Sequence, residues 1–229
     1  MIRVILWDID GTLLNFKEAE KHALRKCFDL FGLGDCPDEM LARYSAVNAQ
    51  YWRRLERGEL TREDVLHGRF FQFFREEGLE CRDVPAFNAQ YQESLGDTIF
   101  FNDGGYDLVK GLRTRVRQYA VTNGTLAAQE RKLARSGLDR LLDGVFISEK
   151  VGADKPSRAF FDAVRKEIGP YRQDEVMIVG DSLTSDMQGG VNAGIVCCWY
   201  NPGREENTSG LKLQYEIQNL QQVSGIVPF

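Results

Sequence analysis

The sequence predicts an α/β protein: a doubly wound parallel sheet with a mainly helical insert after its first strand. Three observations carry this. Short, continuous apolar runs recur along the chain and end in polar residues, as strands buried on both faces do. Helical patterns closed by glycine lie between them, the arrangement of repeated strand–helix–strand units. One long stretch, about Lys17 to Gly96, breaks the alternation and carries helical periodicity alone.

The elements follow in order. Val4–Trp7 is the first apolar run and stops at Asp8. The helical stretch is divided by Gly32-Leu33-Gly34 and Pro37, then by Gly58, Gly78 and Pro85. Within it, Thr61 is placed to cap a helix running to Glu77, with Asp64 in the first turn, where an acid suits the helix dipole. Gln118–Thr122 is the second run, followed by a helix over Leu126–Ser136 closed by Gly137. Val145–Ser148 is the third, followed by Ser157–Ile168 and the stop Gly169-Pro170. Val176–Val179 is the fourth and ends at Gly180-Asp181; a helix over Ser185–Asn192 closes at Gly194. Ile195–Trp199 is the fifth, and a turn at Asn201-Pro202-Gly203, a weak strand near Leu213–Ile217 and a short helix complete the chain. The resulting organisation is a Rossmann-like core, residues 1–16 and 97–229, interrupted by a helical domain, residues 17–96.

Composition narrows the function classes. At 229 residues and 43% hydrophobic, the chain can bury a core without disulfide or metal staples. A net charge of −5 argues against a partner that is a nucleic-acid polymer, which calls for a basic surplus. No apolar run approaches the roughly 18 residues of a membrane span. The run at the N-terminus meets Asp8 too early for a signal peptide, so the expected location is cytoplasmic, away from a membrane. The five cysteines form no C-x-x-C pair; Cys197 and Cys198 lie in an apolar run and read as buried thiols. His22 and His67 lack metal-ligand spacing. Neither G-x-G-x-x-G nor a Walker motif is present, which removes the usual support for a nucleotide cofactor or an NTPase.

In a parallel sheet, sites form at the carboxyl ends of strands. Four such ends here carry polar groups, and the topology should converge them. Asp8-Ile9-Asp10-Gly11-Thr12 places two carboxylates two residues apart, on one side of an extended chain. Gly180-Asp181-Ser182-Leu183-Thr184-Ser185-Asp186 supplies two more. Two like charges about 4 Å apart repel by about 4 kcal/mol at an effective dielectric near 20, so the cluster must take up protons or bind a cation. An all-oxygen site of this kind suits Mg²⁺. Lys155, followed by Pro156 at the expected opening of a helix, can be directed inward as a positive charge. Thr122 offers a hydroxyl, and Asn123-Gly124 offer amides in a tight turn near a helix N-terminus, a natural anion cradle.

These four segments, Asp8–Thr12, Thr122–Gly124, Lys155-Pro156 and Gly180–Asp186, resemble in order and spacing the four motifs of the haloacid dehalogenase-like phosphohydrolases. The insert resembles the helical cap that this family places after its first motif. More local likenesses, Ser45–Asn48, Leu66–Phe70, Ile147–Glu149 and Cys198–Asn201, are similar to the branch containing the noncanonical pyrimidine nucleotidases, which dephosphorylate nucleoside monophosphates. One segment departs from the pattern: Phe101–Tyr106 stands where a Pro-Gly turn is common, a change expected to alter the hinge and leave the chemistry alone.

The resemblance implies hydrolysis of a small phosphorylated metabolite, a nucleoside monophosphate above all, through an aspartyl-phosphate. Asp8 is then the nucleophile and Asp10 the acid and base. The metal site comprises Asp8, the backbone carbonyl of Asp10, Asp181 and Asp186, the last holding the metal's waters or orienting Lys155. Thr122, the Asn123 amide and Lys155 bind the phosphoryl oxygens. Dehalogenases of the family lack the second acid, so Asp10 favours phosphate chemistry. Sugar-phosphate or phosphoglycolate hydrolysis, phosphomutase activity and non-catalytic binding are the competing readings. The cap would close over the site and select the leaving group. Its aromatics Tyr44, Tyr51, Trp52, Phe70, Phe71, Phe73 and Phe74 have the helical spacing of a core; His67 and Arg69 suit a substrate contact and a structural role equally.

Overall fold

The computed structural model describes residues 1–227. Strand β1 (Val4–Trp7) is followed by four helices, α1 (Phe16–Phe31), α2 (Asp38–Glu56), α3 (Arg62–Glu77) and α4 (Val84–Asp97). Then come α5 (Gly105–Leu112), β2 (Arg117–Thr122), α6 (Leu126–Ser136), β3 (Gly144–Ile147), α7 (Ser148–Val151) and α8 (Arg158–Ile168). Strand β4 (Val176–Gly180), α9 (Gln188–Ala193), β5 (Val196–Tyr200), β6 (Tyr215–Ile217) and α10 (Val223–Ile226) complete the order. The chain divides into two compact units: Met1–Asn15 with the segment from Ile99 onward, and Phe16–Thr98.

The first unit is built on a six-stranded sheet in the order β3-β2-β1-β4-β5-β6, parallel throughout. The strand order reverses at β1, between β2 and β4, where ligand crevices open in such sheets. Strict alternation along each strand sends side chains to two separate cores. Ile5, Trp7, Met177 and Val179 pack on one face with Leu108, Val109 and Leu112 of α5. Val4, Leu6, Ile178 and Trp199 pack on the other with Phe160, Phe161 and Val164 of α8. Both faces of β1 are therefore covered, which is why its sequence is an unbroken apolar run.

Two local expectations change. Pro156 does not open a helix: it lies in a turn after a cis Lys155–Pro156 peptide, and α8 starts at Arg158. Ser157 caps it, its hydroxyl accepting from the Phe160 amide at 3.3 Å. The helix expected over Ser185–Asn192 is two pieces, a π-helical turn at Leu183–Met187 and then α9. The Ser182 hydroxyl accepts from the Ser185 amide, and the Ser182 amide donates to Asp186, so side chains set the wider turn.

The second unit has its own core, an aromatic cluster. Phe28, Tyr44, Phe70, Phe73, Phe74, Phe87 and Tyr91 are all buried, with ring centroids 5.0 to 6.3 Å apart in mostly edge-to-face pairs. Phe71 points out to solvent, and Tyr51 and Trp52 are half-buried beneath the Arg54 and Arg62 guanidinium groups. Thr61 and Asp64 form the reciprocal capping box at the start of α3.

Inside this unit lies a buried polar cluster. Asn48 donates to Glu20 at 2.8 Å, Ser45 donates to the other Glu20 oxygen, and Tyr91 donates more weakly at 3.4 Å. Arg69 donates to Asn48 at 2.7 Å and Asn88 at 3.0 Å, with its guanidinium 4.8 Å from the Phe70 ring centre. Burial pushes the Glu20 carboxyl above the usual carboxylate range despite these hydrogen bonds. Arg69, 1% exposed, is thus an interior structural residue. The segments Ser45–Asn48 and Leu66–Phe70 are the ones that supply Asn48 and Arg69 to this cluster.

Candidate active site

Register brings the polar strand ends together. Trp7 pairs with Ala120 of β2 and Val179 of β4, so Asp8, Val121 and Gly180 stand side by side at the carboxyl edge of the sheet. The Asp8 amide still donates to the Val179 carbonyl at 2.9 Å, which fixes where its side chain emerges. The carboxylates of Asp8, Asp181 and Asp186 each offer an oxygen within 4.8 Å of the others. Two glycines make this convergence possible. A Cβ at Gly11, whose φ is +95°, would meet the Asp181 carboxylate at 2.5 Å, and one at Gly180 would overlap Asp186.

Lys155 reaches the same point from the loop ahead of α8. Its ammonium donates to Asp8 Oδ1 at 2.8 Å, to Asp186 Oδ1 at 2.6 Å and to the Val121 carbonyl at 2.8 Å. All three ammonium hydrogens are thereby used in a fully buried setting. Its backbone is locked as well: the Lys155 amide donates to Asn123 Oδ1, and Asn123 Nδ2 donates to the Lys155 carbonyl, both at 2.8 Å. The Asn123 side chain therefore positions Lys155. Thr122 is buried, and its hydroxyl accepts from the Gly124 amide at 3.1 Å, so the cradle expected from both Asn123 and Gly124 amides loses the second.

Charge is unbalanced here: two buried carboxylates, Asp8 and Asp186, share one ammonium, and the exposed Asp181 carboxylate lies within 4.8 Å of theirs. Burial, then the charge of Asp186, pushes the Asp8 carboxyl up to about 7, against the pull of Lys155. Crowding beneath the loop at Gly11 and the charges of Asp8 and Asp186 push Asp181 in the same direction, moderated by solvent, to which the residue is exposed. For Lys155, burial lowers the pKa and the Asp186 and Asp8 charges more than offset it, leaving it raised. Asp8 Oδ2 is buried without a hydrogen-bond partner. A buried carboxylate oxygen left bare calls for an explanation, and a site suited to a cation is one. An all-oxygen, negatively charged donor set with an orphaned oxygen fits a hard divalent cation such as Mg²⁺.

Asp10 is not in this triad. Its side chain turns toward α6, where Gln129 Nε2 donates to Oδ2 at 2.6 Å and Lys132 Nζ to Oδ1 at 2.5 Å. Gln129 and Lys132 are residues that sequence reading missed. The available signal is their spacing: polar residues three apart, among buried Ala128 and Leu133, on the helix that follows Thr122-Asn123-Gly124. Two further braces escaped notice. Thr12 donates to Asp181 at 3.2 Å, and the Trp199 indole donates to the Asp181 carbonyl at 2.9 Å. The departure at Phe101–Tyr106 also bears on the site, because Asn102 Nδ2 donates to the carbonyls of Gly11 and Thr12 at 3.2 and 2.9 Å.

Residues 2–194 match the family model of the haloacid dehalogenase-like hydrolases. The chain belongs to that family. It is thus an enzyme, a hydrolase, and the carboxylate cluster lies at the edge of the sheet where the four motif segments meet. Three relatives match nearly end to end. YfnB of Bacillus subtilis, named as a HAD-hydrolase, is 34% identical over 225 residues, covering 98% of this chain and 95% of the relative. Its crystal structure, described as bound to magnesium, superposes with a TM-score of 0.92 over 100% of this chain and 99% of that one. The pyrimidine 5′-nucleotidase PynA of Streptococcus pneumoniae is 34% identical over 220 residues, 96% of this chain and 92% of PynA. The pyrimidine 5′-nucleotidase YjjG of Escherichia coli is 27% identical over 223 residues, 97% of this chain and 96% of YjjG. No helix among the described residues is long and apolar enough to cross a membrane.

Proposed function

We propose that this hydrolase cleaves small phosphomonoesters through a covalent phosphate on Asp8, and that its natural substrates are nucleoside 5′-monophosphates. The observation that carries the reading is the state of the Asp8 carboxylate. One oxygen is held at 2.8 Å by Lys155, and the other is buried and unpartnered, beside two more carboxylates. A carboxylate fixed in this way is oriented for attack before substrate arrives. The nucleotide preference draws its support from PynA and YjjG, both named pyrimidine 5′-nucleotidases, matched over nearly the whole chain.

The steps follow from the residues. The Asp8 carboxylate attacks phosphorus, the bond from phosphorus to the leaving oxygen breaks, and that oxygen takes the Asp10 carboxyl proton. Water then attacks the phosphorus of the aspartyl-phosphate, gives a proton to the Asp10 carboxylate, and the Asp8–phosphorus bond breaks. Inorganic phosphate leaves, and both acids return to their starting forms. Lys155, the Thr122 hydroxyl and the Asn123 backbone amide bind the phosphoryl oxygens as their charge rises. Asp8, Asp181 and the Asp10 carbonyl, with Asp186 beside them, would hold Mg²⁺, which supplies positive charge between the attacking carboxylate and the phosphate.

A panel of nucleoside monophosphates, sugar phosphates, phosphoglycolate and p-nitrophenyl phosphate, assayed with Mg²⁺ and with EDTA, tests this. Phosphate release led by nucleoside monophosphates and abolished by EDTA is expected. Equal or greater turnover of sugar phosphates removes the nucleotidase assignment. Transfer to a second sugar in place of water identifies a mutase, and activity untouched by EDTA removes the metal.

A further inference from the structure

The Asp10 carboxylate has both of its oxygens engaged by one helix. We propose that Lys132 and Gln129 of α6 are positioning residues that clamp Asp10, keeping the acid–base carboxylate apart from the cation-binding triad; this rests on the phosphatase reading above. Three observations argue for it. First, Gln129 and Lys132 are each only 1% exposed, whereas the Asp10 side chain keeps 21% of its surface open. The two holders are interior, and the held group still faces the medium from which a substrate arrives. Second, the grip is built at a cost elsewhere. Gln129 Oε1 is buried with no hydrogen-bond partner, so the amide is oriented to donate to Asp10 and leaves its acceptor unsatisfied. Third, the neighbouring loop is shaped around it. A Cβ at Gly124 would overlap the Gln129 amide nitrogen, so a side chain at 124 would obstruct the reach to Asp10.

The consequence is a division of labour among four carboxylates. Asp8, Asp181 and Asp186 share oxygens within 4.8 Å, and Asp10, only two residues from Asp8, is absent from that set. Unclamped, Asp10 would be free to turn toward a cation held by the triad. A carboxylate turned to ligate the cation would face away from the leaving oxygen it has to protonate. Lys132 and Gln129 give Asp10 two donors on α6, one for each oxygen. Their part in the reaction is played through Asp10, to which both donate.

A double-mutant cycle between Lys132→Met and Asp10→Asn tests the clamp. With Mg²⁺ and p-nitrophenyl phosphate, Lys132→Met should lower kcat by about 10- to 100-fold, the range seen when an orienting partner is lost. KM should change by less than about threefold, since uniform binding is untouched. In the Asp10→Asn background the same change should alter kcat by less than about threefold. Rapid mixing adds a second signature. The nitrophenolate leaves without a proton, so Lys132→Met should form the aspartyl-phosphate normally and hydrolyse it slowly, giving a burst of one product per site. Gln129→Leu, a milder variant whose folding is checked by thermal melting, should repeat the pattern at about three- to tenfold. Equal losses in both Asp10 backgrounds, or unchanged kcat in both variants, overturn the clamp while wild-type turnover upholds the phosphatase reading. A wild type that releases no phosphate from any monoester overturns both.

Discussion

Each unit of this protein buries a polar cluster, and the two are built on opposite principles. In the Phe16–Thr98 unit, one carboxylate (Glu20) and one guanidinium (Arg69) are linked through Asn48, with Asn88, Ser45 and Tyr91 adding hydrogen bonds and only Arg69 Nε of that ion pair left bare. Charge is balanced and the Glu20 oxygens are both engaged. In the sheet unit, two buried carboxylates share one lysine, a third, exposed carboxylate stands beside them, and an oxygen of Asp8 has no partner. Burying a charge is expensive unless it is paired, so a balanced cluster can serve the fold alone. A surplus of buried negative charge serves the fold badly, and its persistence points to a cation and an anionic substrate that complete it. Burial identifies neither cluster as functional; the charge count does.

The largest test removes part of the surplus. Asp8→Asn should lower phosphate release by about 10³- to 10⁶-fold, the scale of losing a nucleophile. The metal-free variant should nonetheless melt at or above the wild-type temperature, since a like charge has been deleted. Calorimetry beside the activity assay checks both, and a clear drop in Tm would mean that Asp8 supports the fold. The matching change in the other cluster should behave in the reverse sense. Arg69→Met leaves Glu20 buried without its cation and should cost about 3–5 kcal/mol of stability. Adding Glu20→Gln should recover much of that loss, which a denaturant-unfolding comparison of single and double variants measures.

Protons sharpen the contrast. In the metal-free protein the Asp8 carboxyl is raised from its unfolded value of 3.8 to about 7. The folded state then holds a proton that the unfolded state has released. The stability this confers is complete below about pH 4 and is lost as pH rises through about 7. Glu20 is raised as well, by burial, and contributes in the same direction. Only the sheet cluster can exchange its proton for a divalent cation. The melting-temperature gain from Mg²⁺ should therefore be larger at pH 8 than at pH 5.5, by a few degrees on the scale of about 2–4 °C per kcal/mol. A gain independent of pH would place cation binding away from these carboxylates.

The legibility of the two clusters in the sequence differs for the same physical reason. Asp8 and Asp181 directly follow apolar runs, Lys155 and Asp186 lie in the segments after the third and fourth runs, and a parallel sheet must bring strand ends to one edge. Their convergence follows from local pattern plus one topological rule. Asp10 shares that pattern, yet its side chain goes to Gln129 and Lys132, because the direction taken by a side chain leaving a strand depends on which helix packs nearby. Arg69 illustrates the other limit. Its helix, α3, is plain from Thr61 and Gly78, but periodicity cannot tell an arginine facing a substrate from one facing Glu20 through Asn48. The π-helical turn at Leu183–Met187 likewise depends on Ser182 and Asp186 bonding across it. The apolar pattern around it reads as an ordinary helix.

The smallest effect concerns the brace between the loop after β1 and the segment before α5. Asn102 donates to the carbonyls of Gly11 and Thr12, and those residues in turn border Asp181: Gly11 through its close approach, Thr12 through its hydroxyl. The departure at Phe101–Tyr106 is therefore coupled to the carboxylate cluster through two short steps. Asn102→Ala deletes two neutral hydrogen bonds, each contributing about 1 kcal/mol, so a loss of about 1–2 kcal/mol in stability is expected. If the brace only supports the fold, kcat/KM at a temperature well below melting should be unchanged. If it holds the loop that sets Asp8 against Asp181, affinity for Mg²⁺ should fall severalfold while the Phe16–Thr98 unit keeps its wild-type hydrogen-exchange protection. Titration calorimetry and exchange measurements on the same variant separate these outcomes. Severalfold weakening of Mg²⁺ would extend the charge-surplus cluster beyond its carboxylates to the backbone that spaces them.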